Sequence, residues 1–111
     1  MNDTQIEIVE YLAENGRNPF RKWLEGLRDR QARAKVRVRL NRIRLGNFGD
    51  CKSVGSGVNE LRIPHGSGYR VYFGRKGNMI VILLNGGDKK TQSRDIALAQ
   101  RYWNDYLQRT K

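Results

Sequence analysis

The spacing of apolar residues changes repeatedly along this chain, and each change predicts an element. From Gln5 to Leu12, Ile6 and Ile8 fall on one face and Val9 and Tyr11 on the other, a β-branched and aromatic run that predicts a strand. Asn15-Gly16 breaks it. Asn18-Pro19 reads as a helix start, with Asn as the cap and Pro in the first turn, where its missing N–H costs nothing. Phe20, Trp23, Leu24 and Leu27 recur at i, i+3, i+4 and i+7, so this short helix buries an aromatic-rich stripe, and Trp23 is expected in the core rather than on a base-stacking surface. After a turn at Arg28–Asp29, Asp29 can cap a second helix through about Leu45, completing a helical hairpin. Its inner face is Ala32, Val36, Leu40 and Ile43, and Gly46 is its stop. The alternation from Arg37 to Leu40 would also suit a strand, but the uninterrupted length favours a helix.

Beyond the Gly46–Gly49 loop the period shortens. Cys51–Val54 and Val58–Ile63 read as short strands around a Gly55-Ser-Gly57 turn. Pro64-His-Gly-Ser-Gly68 turns the chain into Tyr69–Arg75, where Tyr69, Val71 and Phe73 alternate against Arg70 and Tyr72; one face is expected to pack and the other to carry Arg70. A hairpin connection at Lys76–Asn78 leads into Met79–Leu84, apolar throughout as in a central strand covered on both faces. A last helix, near Ser93 to Gln108, has Ile96, Ala99, Trp103, Tyr106 and Leu107 as its inner stripe. The order strand, two helices, four strands, helix is an α+β pattern: a helical hairpin and a C-terminal helix on a mostly antiparallel sheet of about four to five strands.

Length and charge narrow the reading. With 111 residues and 38% hydrophobic content, positions 1–111 allow a single domain with a single core. The net charge of +11 favours a polyanionic partner. It is uneven: residues 1–16 carry −4, residues 17–46 carry eleven basic against two acidic side chains for +9, and residues 47–111 carry +6. On the second helix Arg30, Arg33, Lys35, Arg37, Arg39, Arg42 and Arg44 form the outer face, which either tracks phosphates or is simply solvated. The longest apolar run falls far short of the ~20 residues of a spanning helix, the N-terminus is polar and acidic where a secretory leader would be basic and then apolar, and one cysteine, Cys51, permits no internal disulfide. A reducing cytoplasm is the expected location, with no membrane partner.

The chemistry-bearing stretch runs from Glu60 to Gln92, where three strands would gather Arg62, Arg70, Lys89 and Lys90 around a cleft. Glu60-Leu-Arg62, Ser67-Gly-Tyr-Arg70-Val-Tyr, the apolar strand and Gly87-Asp-Lys-Lys-Thr-Gln92 followed by Asp95-Ile resemble the RelE/ParE superfamily of bacterial toxins, most closely its phage-related addiction-module killer-protein, or HigB-like, branch. The resemblance covers nearly the whole chain from Asn18-Pro-Phe onward. It implies a RelE-like fold, a cognate antitoxin of helix-turn-helix type, contact with operator DNA only through that antitoxin and, in many members, cleavage of messenger RNA on the ribosome. In the ribonuclease branch the arginine of the Ser-Gly-Tyr-Arg strand contacts the scissile phosphate, which maps to Arg70. A basic residue after the last strand maps to Lys90, with Lys89 beside it. Arg62 is the nearest match to basic residues on the preceding strand, Glu60 stands where a lysine is frequent, and Ile96 stands where several members carry tyrosine or histidine.

Independently of the family, the chain has no Ser-His-Asp set, no carboxylate cluster for magnesium and no phosphate-binding Gly-x-x-x-x-Gly-Lys loop. RNA cleavage would therefore need neither metal nor cofactor. It would activate the ribose 2′-OH and stabilise an anionic phosphorane, with Arg70 and Arg62 as planar forks, Lys89 and Lys90 as point charges, and Glu60 as a candidate general base. Structural readings stand beside these: Arg70 paired to Glu60, and Lys89 and Lys90 as loop charges. Arg37, Arg39, Lys52, Tyr72 and His65 are the candidate RNA contacts. His65 is secondary, as a residue of a solvated turn, and Tyr72 either stacks on a base or packs across strands. An acidic antitoxin segment is expected across the Arg62/Arg70/Lys90 cleft or along the Arg30–Arg44 face. Three functions compete: a ribosome-dependent endoribonuclease, a ParE-like inhibitor of DNA gyrase that cuts nothing, and an inactive basic nucleic-acid-binding module.

Overall fold

The structure is a computed structural model and describes residues 5–111. The polar Met1–Thr4 segment, on which the expectation about a secretory leader rests, lies outside the described residues. Capping chemistry sets both N-terminal helices. The Asn18 side chain accepts from the Arg21 backbone N–H at 2.9 Å, and Pro19 opens α1 (Pro19–Gly26). The Asp29 carboxylate accepts from the Ala32 N–H at 3.1 Å and opens α2 (Arg30–Arg44). Gly46, at φ +89, ends it by donating to the Ile43 carbonyl at 2.8 Å.

The strands are β1 (Glu7–Glu10), β2 (Cys51–Ser53), β3 (Val58–Ile63), β4 (Tyr69–Lys76) and β5 (Ile80–Gly87), in the spatial order β1-β5-β4-β3-β2. Only β1 runs parallel to its neighbour, with Glu7 opposite Ile80 and Glu10 opposite Leu83; β5, β4, β3 and β2 form an antiparallel meander. A one-turn 3-10 helix (Lys89–Thr91) follows β5 and leads straight into α3 (Gln92–Arg109). This is the expected α+β arrangement. Among the described residues no helix is long and apolar enough to cross a membrane.

The sheet is covered on both faces. On one, α1 and α2 bury Phe20, Leu24, Val36, Leu40 and Ile43 against Leu61, Ile63, Val71, Phe73 and Leu83, with Ile6, just before β1, and Ile8, within it, alongside. On the other, α3 buries Ala99 and Trp103 against Val58, Tyr72, Ile82 and Leu84, joined by Tyr11. The expectation that only one face of β4 packs is therefore corrected: α3 covers the second face, and Tyr72 is fully buried. Each tryptophan sits against a glycine, because an added Cβ would come within 2.3 Å of the Trp103 ring at Gly74 and 2.2 Å of the Trp23 ring at Gly86. Trp103 is the buried one, while Trp23 is only half-buried.

Further differences have local causes. The last strand runs on to Gly87 rather than ending at Leu84, with a bulge opposite Tyr72/Phe73. Asn85-Gly-Gly reads as a breaker, but the glycines are what close packing demands: a Cβ at Gly87 would lie 1.8 Å from Asp95 Oδ2. In α3 the buried stripe takes Asp95 and leaves Leu107 42% exposed. On α2, Arg33 and Arg39 leave the expected outer face. Arg33 donates to the Leu27 carbonyl at 2.5 Å, and Arg39 donates to the carbonyls of Arg62 (2.7 Å) and Phe48 (3.3 Å). A long guanidinium at a helix edge reaches open carbonyls that no periodicity reveals.

Candidate active site

Strand register places the site. Lys52 of β2 pairs with Glu60 of β3, Glu60 with Tyr72 of β4, and Tyr72 with Asn85 of β5; one step along, Arg62 pairs with Arg70 and Arg70 with Gly87. Side chains two apart share a face, so both rows lie on the α3 side of the sheet. Asp95 comes down over Gly87 and the first turn of α3 reaches Glu60, and the Arg62–Arg70 row follows one step further along the same face, with both arginine side chains partly exposed.

Glu60 is fully buried. Its Oε2 accepts from the Gln92 side-chain amide at 2.8 Å and from the Tyr72 hydroxyl at 3.2 Å, and lies 3.4 Å from Arg70 Nε; its Oε1 has no hydrogen-bond partner. Burial and the Glu60 carboxylate push the Tyr72 phenol well above its ordinary value, so it remains a donor. Arg70 donates through Nη1 to the Gly68 carbonyl at 2.8 Å, and its side chain keeps 13% of its surface exposed. A carboxylate this deep is tolerable only with a cation and donors around it. The structural reading of Arg70 as the partner of Glu60 and the reading of a cleft of cations thus describe one arrangement.

The remaining cations gather around that pair. Arg62 Nη2 pairs with Asp50 Oδ1 at 3.1 Å and is 40% exposed, while Arg39 holds its carbonyl from behind. Gly68 has φ +79, and a Cβ there would lie 3.3 Å from Arg70 Nη1 and 3.7 Å from Lys89 Cβ, so Lys89 stands beside Arg70 across a glycine that no larger residue could replace without crowding. The Lys89 N–H reaches the Ser67 carbonyl at 3.4 Å. Asp88 caps the 3-10 turn, accepting from the N–H groups of Lys90 (2.9 Å) and Thr91 (3.3 Å), and leaves both lysine side chains exposed.

Of the candidate residues, the fold therefore brings together Glu60, Arg62, Arg70 and Lys89, with Lys90 next along the same exposed turn. Lys52 lies exposed on the edge strand in register with Glu60. Of the others, His65 and Arg39 sit elsewhere than sequence suggests, Tyr72 takes its cross-strand packing reading, and Arg37 lies on the outer face expected of it. Tyr72 supports Glu60 from within the core and has no surface to stack on a base. His65 is not a solvated turn residue: Nε2 lies 3.0 Å from Asp29 Oδ2 and its ring stacks on Tyr69, fastening the turn to the N-terminus of α2. The Ala32 backbone N–H, with His65 adding to it, holds the Asp29 carboxyl below the usual carboxylate range. Arg39 is a structural clamp. Arg37 is exposed on α2, across the sheet from Arg70.

Gln92 and Asp50 were missed by sequence reasoning. For Gln92 the available signal is its place in the Lys-Lys-Thr-Gln run; for Asp50 there is none. A groove of about 1000 Å³ lined by Trp23, Leu27, Asn85, Gly86, Leu98 and Tyr102 among others lies between α1 and α3. Its one buried carboxylate, Asp95, is held by Thr91 (2.5 Å) and faces Arg94 (3.6 Å). Converging charge, rather than volume, singles out the Arg70 cleft.

Comparison with known proteins finds a family and a relative for most of the chain. A protein of Haemophilus influenzae described as an uncharacterized protein is 51% identical over 81 residues, covering 73% of this chain and 82% of its own length. Residues 22–104 match the family described as "Phage derived protein Gp49-like (DUF891)", a span that holds α2, the antiparallel strands, the cleft and most of α3. The chain belongs to this phage-derived Gp49-like family, a RelE-like toxin family of toxin–antitoxin systems.

Proposed function

We propose that this protein is the toxin of a type II toxin–antitoxin pair, of the HigB-like kind, and that it cuts messenger RNA on the ribosome without a metal ion. The observation that carries the reading is Arg70: a partly exposed guanidinium paired with buried Glu60 and hydrogen-bonded to the Gly68 carbonyl, in the same strand row as Arg62 and beside Lys89. A planar fork in that position suits a phosphodiester, whose charge rises as the ribose 2′-oxygen bonds to phosphorus and the bond to the 5′-oxygen breaks. Glu60, buried beside Arg70 with its Oε1 free of hydrogen-bond partners among the described residues, is the candidate acceptor for the 2′-hydroxyl proton. Lys89 and Lys90, on the exposed turn, supply charge and a proton to the leaving 5′-oxygen. The partners are the ribosome with its messenger RNA and a cognate antitoxin, through which operator DNA is reached.

Arg70→Lys keeps a cation opposite Glu60 but loses the fork, so the rate of cleavage should fall roughly 10²-fold or more with the fold retained. Products should carry 2′,3′-cyclic or 3′-phosphate ends and form in EDTA, with ribosome integrity checked separately. A second reading rests on Ile96, which packs against the Tyr11–Trp103 side of the core and offers no titratable group where several relatives have one. If induced cells arrest replication with intact messenger RNA, or if Arg70→Lys remains as toxic as the parent, the protein is instead a gyrase inhibitor or an inactive nucleic-acid binder.

A further inference from the structure

We propose that Gln92, the first residue of α3, is a positioning residue: it locks the Glu60 carboxylate beneath Arg70 and thereby fixes which edge of the guanidinium faces the cleft. Glu60 Oε2 has three neighbours, and the Gln92 amide at 2.8 Å is the shortest contact and the only one from outside the sheet. The Tyr72 hydroxyl comes from the cross-strand neighbour in β4, so register supplies it whatever α3 does. Gln92 arrives from 32 residues away, at the junction of the 3-10 turn and α3, where the Asp88 cap and the Asp95 contact over Gly87 pin the chain on both sides.

A neutral amide is the donor this geometry needs. It satisfies one carboxylate oxygen without competing with Arg70 for the charge, as a lysine would. Arg70 is then steadied at two points, Nε beside Glu60 at 3.4 Å and Nη1 on the Gly68 carbonyl at 2.8 Å, and Nη2 has no protein partner among the described residues. Without Gln92 the carboxylate is held by Tyr72 alone and can turn to take two N–H groups of Arg70 at once, the usual preference of such pairs. That collapse would consume the edge meant for phosphate.

The proposal rests on the nuclease reading for its activity arm only, so its test has a second readout. Gln92→Leu and Gln92→Glu are made in the full chain and compared for cleavage of messenger RNA on programmed ribosomes and for the Arg70 Nε–H resonance in proton–nitrogen spectra, assigned by its loss in Arg70→Lys. Gln92→Leu should lower kcat roughly 10-fold or more, since small misplacements of a catalytic group are costly, while KM stays within about twofold and the resonance moves. Gln92→Glu sets two carboxylates side by side, which share one proton. At low pH the protonated partner still donates and activity approaches the parent's; as pH rises the pair ionises, repels, and activity relative to the parent falls. An unmoved resonance with unchanged kcat in Gln92→Leu would overturn the proposal, as would two variants equally impaired at every pH, which is what loss of packing alone produces. If the resonance moves while the parent cuts no RNA, the positioning role stands and the nuclease reading falls.

Discussion

Glu60 and Arg70 face each other 3.4 Å apart, one fully buried and the other nearly so, and each sets the terms for the other. Truncating Arg70 leaves an inward carboxylate with two neutral donors and no cation. Arg70→Ala should therefore lower unfolding stability by about 3 kcal/mol, the low end for breaking a buried pair. Adding Glu60→Gln should recover most of that loss in urea unfolding, because an amide needs no counter-charge; no recovery would mean that Arg70 contributes by packing. These two residues were legible in the sequence because the resemblance to the RelE/ParE superfamily maps onto both, and because Arg70 alternates against the apolar Tyr69, Val71 and Phe73. The roles of Gln92, Tyr72, His65 and Arg39 were not, because each depends on a partner 12 to 36 residues away that only folding brings near.

At the scale of elements, α3 is the piece on which the site depends, and it is fastened at both ends. At its start stand Gln92 and Asp95. At its far end the Tyr11 hydroxyl donates to Asp105 at 2.6 Å, and Arg109 pairs with the same carboxylate at 2.7 Å. Burial, with the Asp105 contact adding to it, pushes the Tyr11 phenol up to about 12. A phenol raised on folding contributes stability below its unfolded value near 10 and loses it as pH climbs from there to about 12. Tyr11→Phe should accordingly flatten the decline of the urea midpoint over that alkaline window, and equal slopes in the two proteins would show that the contact carries no weight. In the middle of α3, Trp103→Ala should cost ~3–5 kcal/mol, whereas half-buried Trp23→Ala should cost about 2, measured in the same way. Sequence spacing identified both tryptophan helices but not which ring is deeper, since a period of 3.6 marks the inner face and says nothing of what roofs it. It ended β5 early for a related reason: glycines that admit Trp23 and Asp95 look identical to glycines that break a strand.

The whole molecule carries positive charge on two opposite sides, the cleft beyond α3 and the outer face of α2, with the sheet between them. One ligand lying flat cannot cover both. Reversing Arg30, Arg37 and Arg44 together should lower the slope of log K against log salt for non-specific RNA binding by roughly two to three, because a phosphate that no arginine neutralises keeps its condensed counterion; an unaltered slope would assign the polyanion to the cleft alone. The α+β class and the element order were readable from periodicity. The side of the sheet each helix takes was not, because strands buried on both faces lose the alternation that would report it. The parallel pairing of β1 with β5 has one more consequence, for a chain still being made. Roughly seventy residues separate Glu7 from Ile80, so at ordinary elongation rates of about 5–20 residues per second the first strand waits on the order of 4–15 s for its partner to be synthesised. Gln92 follows later still. A nascent copy thus carries its arginines for seconds before the Gln92 side chain can reach Glu60, and a message truncated upstream of codon 92 encodes a fragment that never makes that contact.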